Sequence, residues 1–66
     1  MTTKEIIEHI ESNGGIDTPM IYRTYLDDIR NNRIKPISLE KYFSDYIKNN
    51  YNCSYYVANK VMLYYL

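Results

Sequence analysis

Apolar side chains recur along this chain at helical spacing in four blocks, with polar punctuation between them. In the first block Ile6, Ile7 and Ile10 form one stripe while Glu5, Glu8 and Glu11 stay outside it. Thr2 with Glu5 three residues later is a capping box, so a helix is expected from about Thr3 to Asn13. Gly14-Gly15 supplies the positive-φ stop that glycine reaches cheaply. Asp17 or Thr18 then caps a second start, with Pro19 in the first turn, where a missing N–H costs nothing. This second helix runs to about Asn31. Its apolar positions Tyr22, Tyr25, Leu26 and Ile29 fall at i, i+3, i+4 and i+7, and Met20 and Ile21 widen the face.

Asn31 to Ile37 (NNRIKPI) reads as a loop or short extended link, because Pro36 and two asparagines oppose a helix there. Ser38 caps the next start. Leu39, Tyr42, Phe43, Tyr46 and Ile47 make the strongest stripe in the chain, set against Glu40, Lys41, Ser44, Asp45 and Lys48. The third helix is expected to end in the asparagine run, with Asn49 to Cys53 as a short turn and Asn52 or Ser54 capping the last helix. No segment alternates with a period of two between β-turn pairs. The pattern therefore specifies an all-α fold: a single helical domain over residues 1–66, with about four short helices, the last two forming a helix-turn-helix-like hairpin.

The last block, Ser54 to Leu66 (SYYVANKVMLYYL), differs in kind from the others. As a helix it leaves only Asn59 and Lys60 clearly polar after the opening serine. A helix apolar nearly all round needs burial on more than one side. A chain of this length buries only about 60% of the surface its unfolded form exposes, so part of that helix is expected to be covered by a second copy or by another macromolecule.

Charge and chemistry narrow the picture. Eight basic residues balance eight acidic ones, so no global field recruits nucleic acid or anionic lipid. A single cysteine, Cys53, excludes an intrachain disulfide and any zinc site built on cysteine pairs, and a reducing cytoplasm fits that usage. No stretch is apolar and long enough to span a bilayer, and the acids in MTTKEIIEHIE oppose a signal peptide. His9 sits on an acidic helix with no nucleophile placed by motif beside it, and Gly14-Gly15 follows a helix where a phosphate loop would precede one. The reading is accordingly non-enzymatic, with no cofactor, no metal and no small-molecule substrate. The abundance of Asn, Ile, Lys and Tyr is the drift of an AT-rich genome, which points to a Gram-positive bacterium or to a phage or mobile element living in one.

Residues 38 to 66, two helices joined by a tight turn, resemble the helix-turn-helix unit of DNA-binding proteins. Ala58 and Val61 would be the inward positions of the second helix, while Tyr55, Tyr56, Asn59 and Lys60 would face outward. The chain has Asn52 where that turn usually has glycine, and a single positive charge on the outward face, whereas duplex binding neutralises several phosphates. Arg30, Arg33, Lys35, Lys41 and Lys48 could add a basic edge, weakened by Asp27, Asp28 and Asp45.

The nine tyrosines carry the competing reading. Tyr22, Tyr25, Tyr42 and Tyr46 lie on the helical stripes and read as core fillers with hydroxyls at the rim. Tyr55, Tyr56, Tyr64 and Tyr65 cannot all face inward from one short helix, and such rings are enriched at interface centres. The leading expectation is a small tyrosine-rich protein-binding module, an adaptor or inhibitor of the kind a phage or mobile element encodes, self-associating as a homodimer or holding a larger protein. Its candidate binding residues are Tyr51, Tyr55, Tyr56, Asn59, Lys60, Tyr64 and Tyr65. The alternative is a helix-turn-helix DNA-binding regulator.

Overall fold

Side-chain caps set where each helix begins in the computed structural model, which describes residues 2–66. The Thr2 hydroxyl accepts from the Glu5 N–H while the Glu5 carboxylate accepts from the Thr2 N–H at 3.0 Å, and this reciprocal box opens α1 (Thr3–Ser12). Of the two caps open to α2 (Thr18–Arg30), Asp17 is the one used, accepting from the Met20 N–H at 3.0 Å, with Pro19 in the first turn. Ser38 caps α3 (Leu39–Tyr51) and Ser54 caps α4 (Tyr55–Tyr65) by the same device. Gly14 and Gly15 take φ of 94° and 84°, which lets the chain leave α1 and lets the Gly15 N–H close onto the Ile10 carbonyl at 2.9 Å. Four helices and no strand make up the described residues, as the patterning requires.

The end of α3 departs from expectation. Asn49 and Asn50 remain helical, Asn50 donating its amide to the Tyr46 carbonyl at 2.8 Å, and the helix runs through Tyr51. The turn is only Asn52 to Ser54. Asn52 adopts the left-handed conformation, φ 50° and ψ 56°, which asparagine tolerates better than other side chains. Asn32, at φ 53°, plays a similar part in leaving α2.

The core is one cluster: Ile6, Ile10, Ile21, Phe43, Ile47, Ala58, Val61 and Met62. α4 packs on α3 most extensively and on α1 as well, while α2 lies against α3. The molecule measures only 17 Å through its thinnest extent, so helices about 10 Å across enclose a single layer of buried side chains.

Two positions sit otherwise than the stripes imply. On α2 the buried residue is Ile21, and Tyr22 is 46% exposed with Met20 beside it in solvent, so the inward face is rotated from the expected one and Tyr22 is not a core filler. On α3, Ser44 belongs to the core, 2% exposed, because α3 meets α4 across a face wider than the apolar stripe. The Ser44 hydroxyl has no hydrogen-bond partner among the described residues.

The linker between α2 and α3 is tied at both ends. Arg33 reaches Asp27 at 2.7 Å and Asp28 at 3.0 Å, and the Tyr42 hydroxyl donates to Asp28 at 3.0 Å. The Tyr25 hydroxyl donates to the Ile37 carbonyl at 2.5 Å. Tyr42 and Tyr46 are half-buried against the core as a filling role demands, whereas Tyr25, expected to do the same, is half-buried against the Tyr42 ring and the linker and is not part of the core packing.

Candidate functional site

Burial on two sides leaves α4 with a third side open. Ala58, Val61 and Met62 face the core, with Val57 and Tyr65 packed at its edge, so the residues between them on the helix point outward. Tyr56 and Leu63 stand at the middle of that outward face, each 70% exposed, two turns apart. Asn59 and Lys60 lie between them, and Tyr55, Tyr64 and Leu66 form the edges, all exposed. Five large apolar or aromatic side chains exposed along one short helix and its C-cap are the kind of surface that marks interaction sites.

The expected site residues divide by environment. Tyr55, Tyr56, Asn59, Lys60 and Tyr64 share the outward face. Tyr51 and Tyr65 do not; both are half-buried against the core. Tyr51, the last residue of α3, meets the His9 ring edge-on at a centroid distance of 5.9 Å, and burial raises its hydroxyl pKa. Tyr65 donates to the Glu11 carboxylate at 2.8 Å, tying α4 to α1, and burial followed by that bond holds its pKa far above the usual tyrosine value. Leu63 and Leu66 were missing from the expected set. The signal for Leu63 was present, since it follows Tyr56 by seven residues and so shares its side of the helix.

Tyr55 is exposed but fixed. Its hydroxyl donates to Asp45 of α3, and the Lys41 ammonium lies 3.3 Å from the same oxygen. The Lys41 and Lys48 ammonium groups also approach its ring, at 4.7 and 5.2 Å from the centroid. The bond from Tyr55, then the Lys41 charge, pulls the Asp45 pKa below the usual carboxylate value, and Asp45 in turn raises that of Lys41. Lys60 lies over the Tyr56 ring at 4.4 Å, and its ammonium lowers the Tyr56 pKa. Between α3 and α4, Lys41, Ser44, Tyr55 and Asn59 line an open hollow of about 320 Å³.

The basic edge weakens as its neighbouring acids suggest. Arg33 is engaged by Asp27 and Asp28 and Lys41 by Asp45 at 3.1 Å, which leaves Arg30, Lys35, Lys48 and Lys60 without an ion pair among the described residues. His9 is exposed, and Cys53 is half-buried with its thiol 4.0 Å from the Ile47 carbonyl. Among the described residues no three His, Cys, Asp or Glu side chains converge as metal ligands, and no helix is long and apolar enough to cross a membrane. Neither a protein-family model, a curated protein nor a solved structure matches this chain.

Proposed function

We propose that this protein is a non-enzymatic binding module, an adaptor or inhibitor, that meets another protein through the outward face of α4. The observation that carries the reading is the exposure of Tyr56, Leu63, Tyr64 and Leu66 on a helix already packed on two sides. Large stiff side chains with one cation at the rim are what interface centres use. The alternative, DNA binding by α3 and α4 as a helix-turn-helix unit, draws on the left-handed turn at Asn52 and the inward Ala58 and Val61. Against it stands the outward face itself, where Leu63 and Tyr64 occupy positions that phosphate contacts would need, Lys60 is the single cation that α4 supplies, and of the two α3 lysines beside Tyr55 one, Lys41, is held by Asp45.

Fluorescence anisotropy with labelled duplex and single-stranded DNA, at about 50 and about 200 mM salt, separates the two. The protein-binding reading expects no complex beyond weak background at either salt. A site-specific complex that survives the higher salt and disappears with Lys60→Glu would overturn it.

A further inference from the structure

We infer that the occupant of the α4 face is a second copy of this chain, docked about a two-fold axis so that Leu63 of each copy enters the hollow between α3 and α4 of the other. The inference rests on reading that face as a protein-binding surface and names its partner. A two-fold interface must be self-complementary, with any projection on the surface matched by a recess on the same surface. This face has both. Leu63 projects, 70% exposed, and the 320 Å³ hollow lies beside Asn59, four residues earlier on the same helix. Four residues of helix span about 6 Å, so an axis passing between Asn59 and Leu63 sets each projection over the opposite recess.

The recess is shaped for an apolar side chain and does not have to form on binding. The Tyr55 ring makes one wall and is pinned by its hydroxyl to Asp45 and Lys41, while the Lys41 stem makes another. Lys41, the one cation lining the recess, is already paired with Asp45 at 3.1 Å, so an entering anion would have to compete for it. A leucine side chain carries no such conflict.

Area and charge agree with a second copy. At ~150–250 Å² for each large aromatic ring, the exposed parts of Tyr55, Tyr56, Leu63, Tyr64 and Leu66 come to roughly 500 Å² per copy. Two facing copies then bury roughly 1,000 Å², about the area a specific interface must clear. With eight charges of each sign the chain carries no net charge to repel its own copy.

Sedimentation equilibrium of the whole chain over a concentration series tests the pairing, and disulfide trapping tests its geometry. A reversible dimer is expected. Leu63→Asp, at an exposed position outside the core, should raise the dissociation constant roughly tenfold or more with unchanged helical circular dichroism and melting. In a Cys53→Ser background, mixed Leu63→Cys and Asn59→Cys chains should form the heterodisulfide faster than either homodisulfide. A chain that stays monomeric throughout, a Leu63→Asp variant that associates as well as the wild type, or a faster homodisulfide at either position would overturn the inference. Monomeric behaviour without DNA binding would remove the second copy while leaving the face to another protein; salt-resistant DNA binding would remove the protein-binding reading itself.

Discussion

Val61 and Tyr56 sit five residues apart on α4 and face opposite environments, one fully buried and the other 70% exposed. Their substitution should therefore separate folding from binding. Val61→Asp places a carboxylate where no partner exists, at a cost of several kcal/mol. A domain this small holds only about 3–5 kcal/mol, so the variant should lose most of its helical circular dichroism at room temperature. Tyr56→Ala removes a largely exposed ring that carries the Lys60 ammonium over its face, and its melting should stay within about 0.5 kcal/mol of the wild type. An unfolded Tyr56→Ala variant would mean that the ring belongs to the core.

Single residues also mark where sequence patterning stops being informative. Ser44 reads as solvent-facing because serine is polar, yet it is 2% exposed at the contact between α3 and α4. Nothing in one sequence announces that the α3–α4 contact extends past the apolar stripe. Tyr22 errs in the other direction: Tyr22, Tyr25, Leu26 and Ile29 fit a helical stripe, but Ile21 faces the core more directly and displaces Tyr22 into solvent. When a helix carries apolar residues over more than half its circumference, tertiary packing chooses the buried arc.

At the scale of elements, helix starts were legible because a cap is a local device. Thr2 with Glu5, Asp17, Ser38 and Ser54 each accept the hydrogen bond their sequence position implies. The end of α3 was less legible. Asparagine favours turns, but Asn49 and Asn50 stay helical because the packing of Tyr46, Ile47 and Tyr51 continues across them, and only Asn52 leaves the helix. The tie between α3 and α4 through Tyr55, Asp45 and Lys41 could not be read from spacing at all, since it depends on the direction in which α4 leaves the turn.

That tie makes the fold acid-sensitive. The Tyr55 hydroxyl and then the Lys41 charge hold Asp45 below the usual 3.8, the Thr2 cap lowers Glu5 from 4.5, and Arg33 lowers Asp27 from 3.8. A carboxyl with a depressed native pKa contributes stability that is present above its unfolded value and lost as pH falls through its native value. The melting temperature should therefore hold steady near neutrality and decline below about pH 4. Asp45→Asn should lower it near neutrality and make the acid decline shallower, a comparison that thermal melts across pH can make. An equally steep decline in that variant would assign acid sensitivity to Glu5 and Asp27 alone.

For the whole molecule, a shortage of interior decides the outcome. One layer of core side chains accommodates Ala58, Val61 and Met62 from α4 but has no place for Tyr56, Leu63 or Tyr64, so the helix that is most apolar in sequence is also the one left open in the fold. That α4 would leave apolar side chains uncovered was legible from that excess of apolar residues, and the inward placement of Ala58 and Val61 followed from the resemblance of residues 38 to 66 to a helix-turn-helix unit. The half-burial of Tyr51 and Tyr65 was not, because it depends on how α1 lies across them, with His9 against one ring and Glu11 bonded to the other. A second exposed apolar pair, Met20 and Tyr22 on α2, offers the only comparable competitor among the described residues.

Amide chemical shifts of the isotope-labelled chain followed over a dilution series test the central claim most directly. Self-association through α4 requires the concentration-dependent changes to centre on Tyr55, Tyr56, Asn59, Lys60, Leu63 and Tyr64 and on Lys41 and Ser44 around the hollow, with α2 unaffected. Changes centred on Met20 and Tyr22, or no change at any concentration, would contradict it.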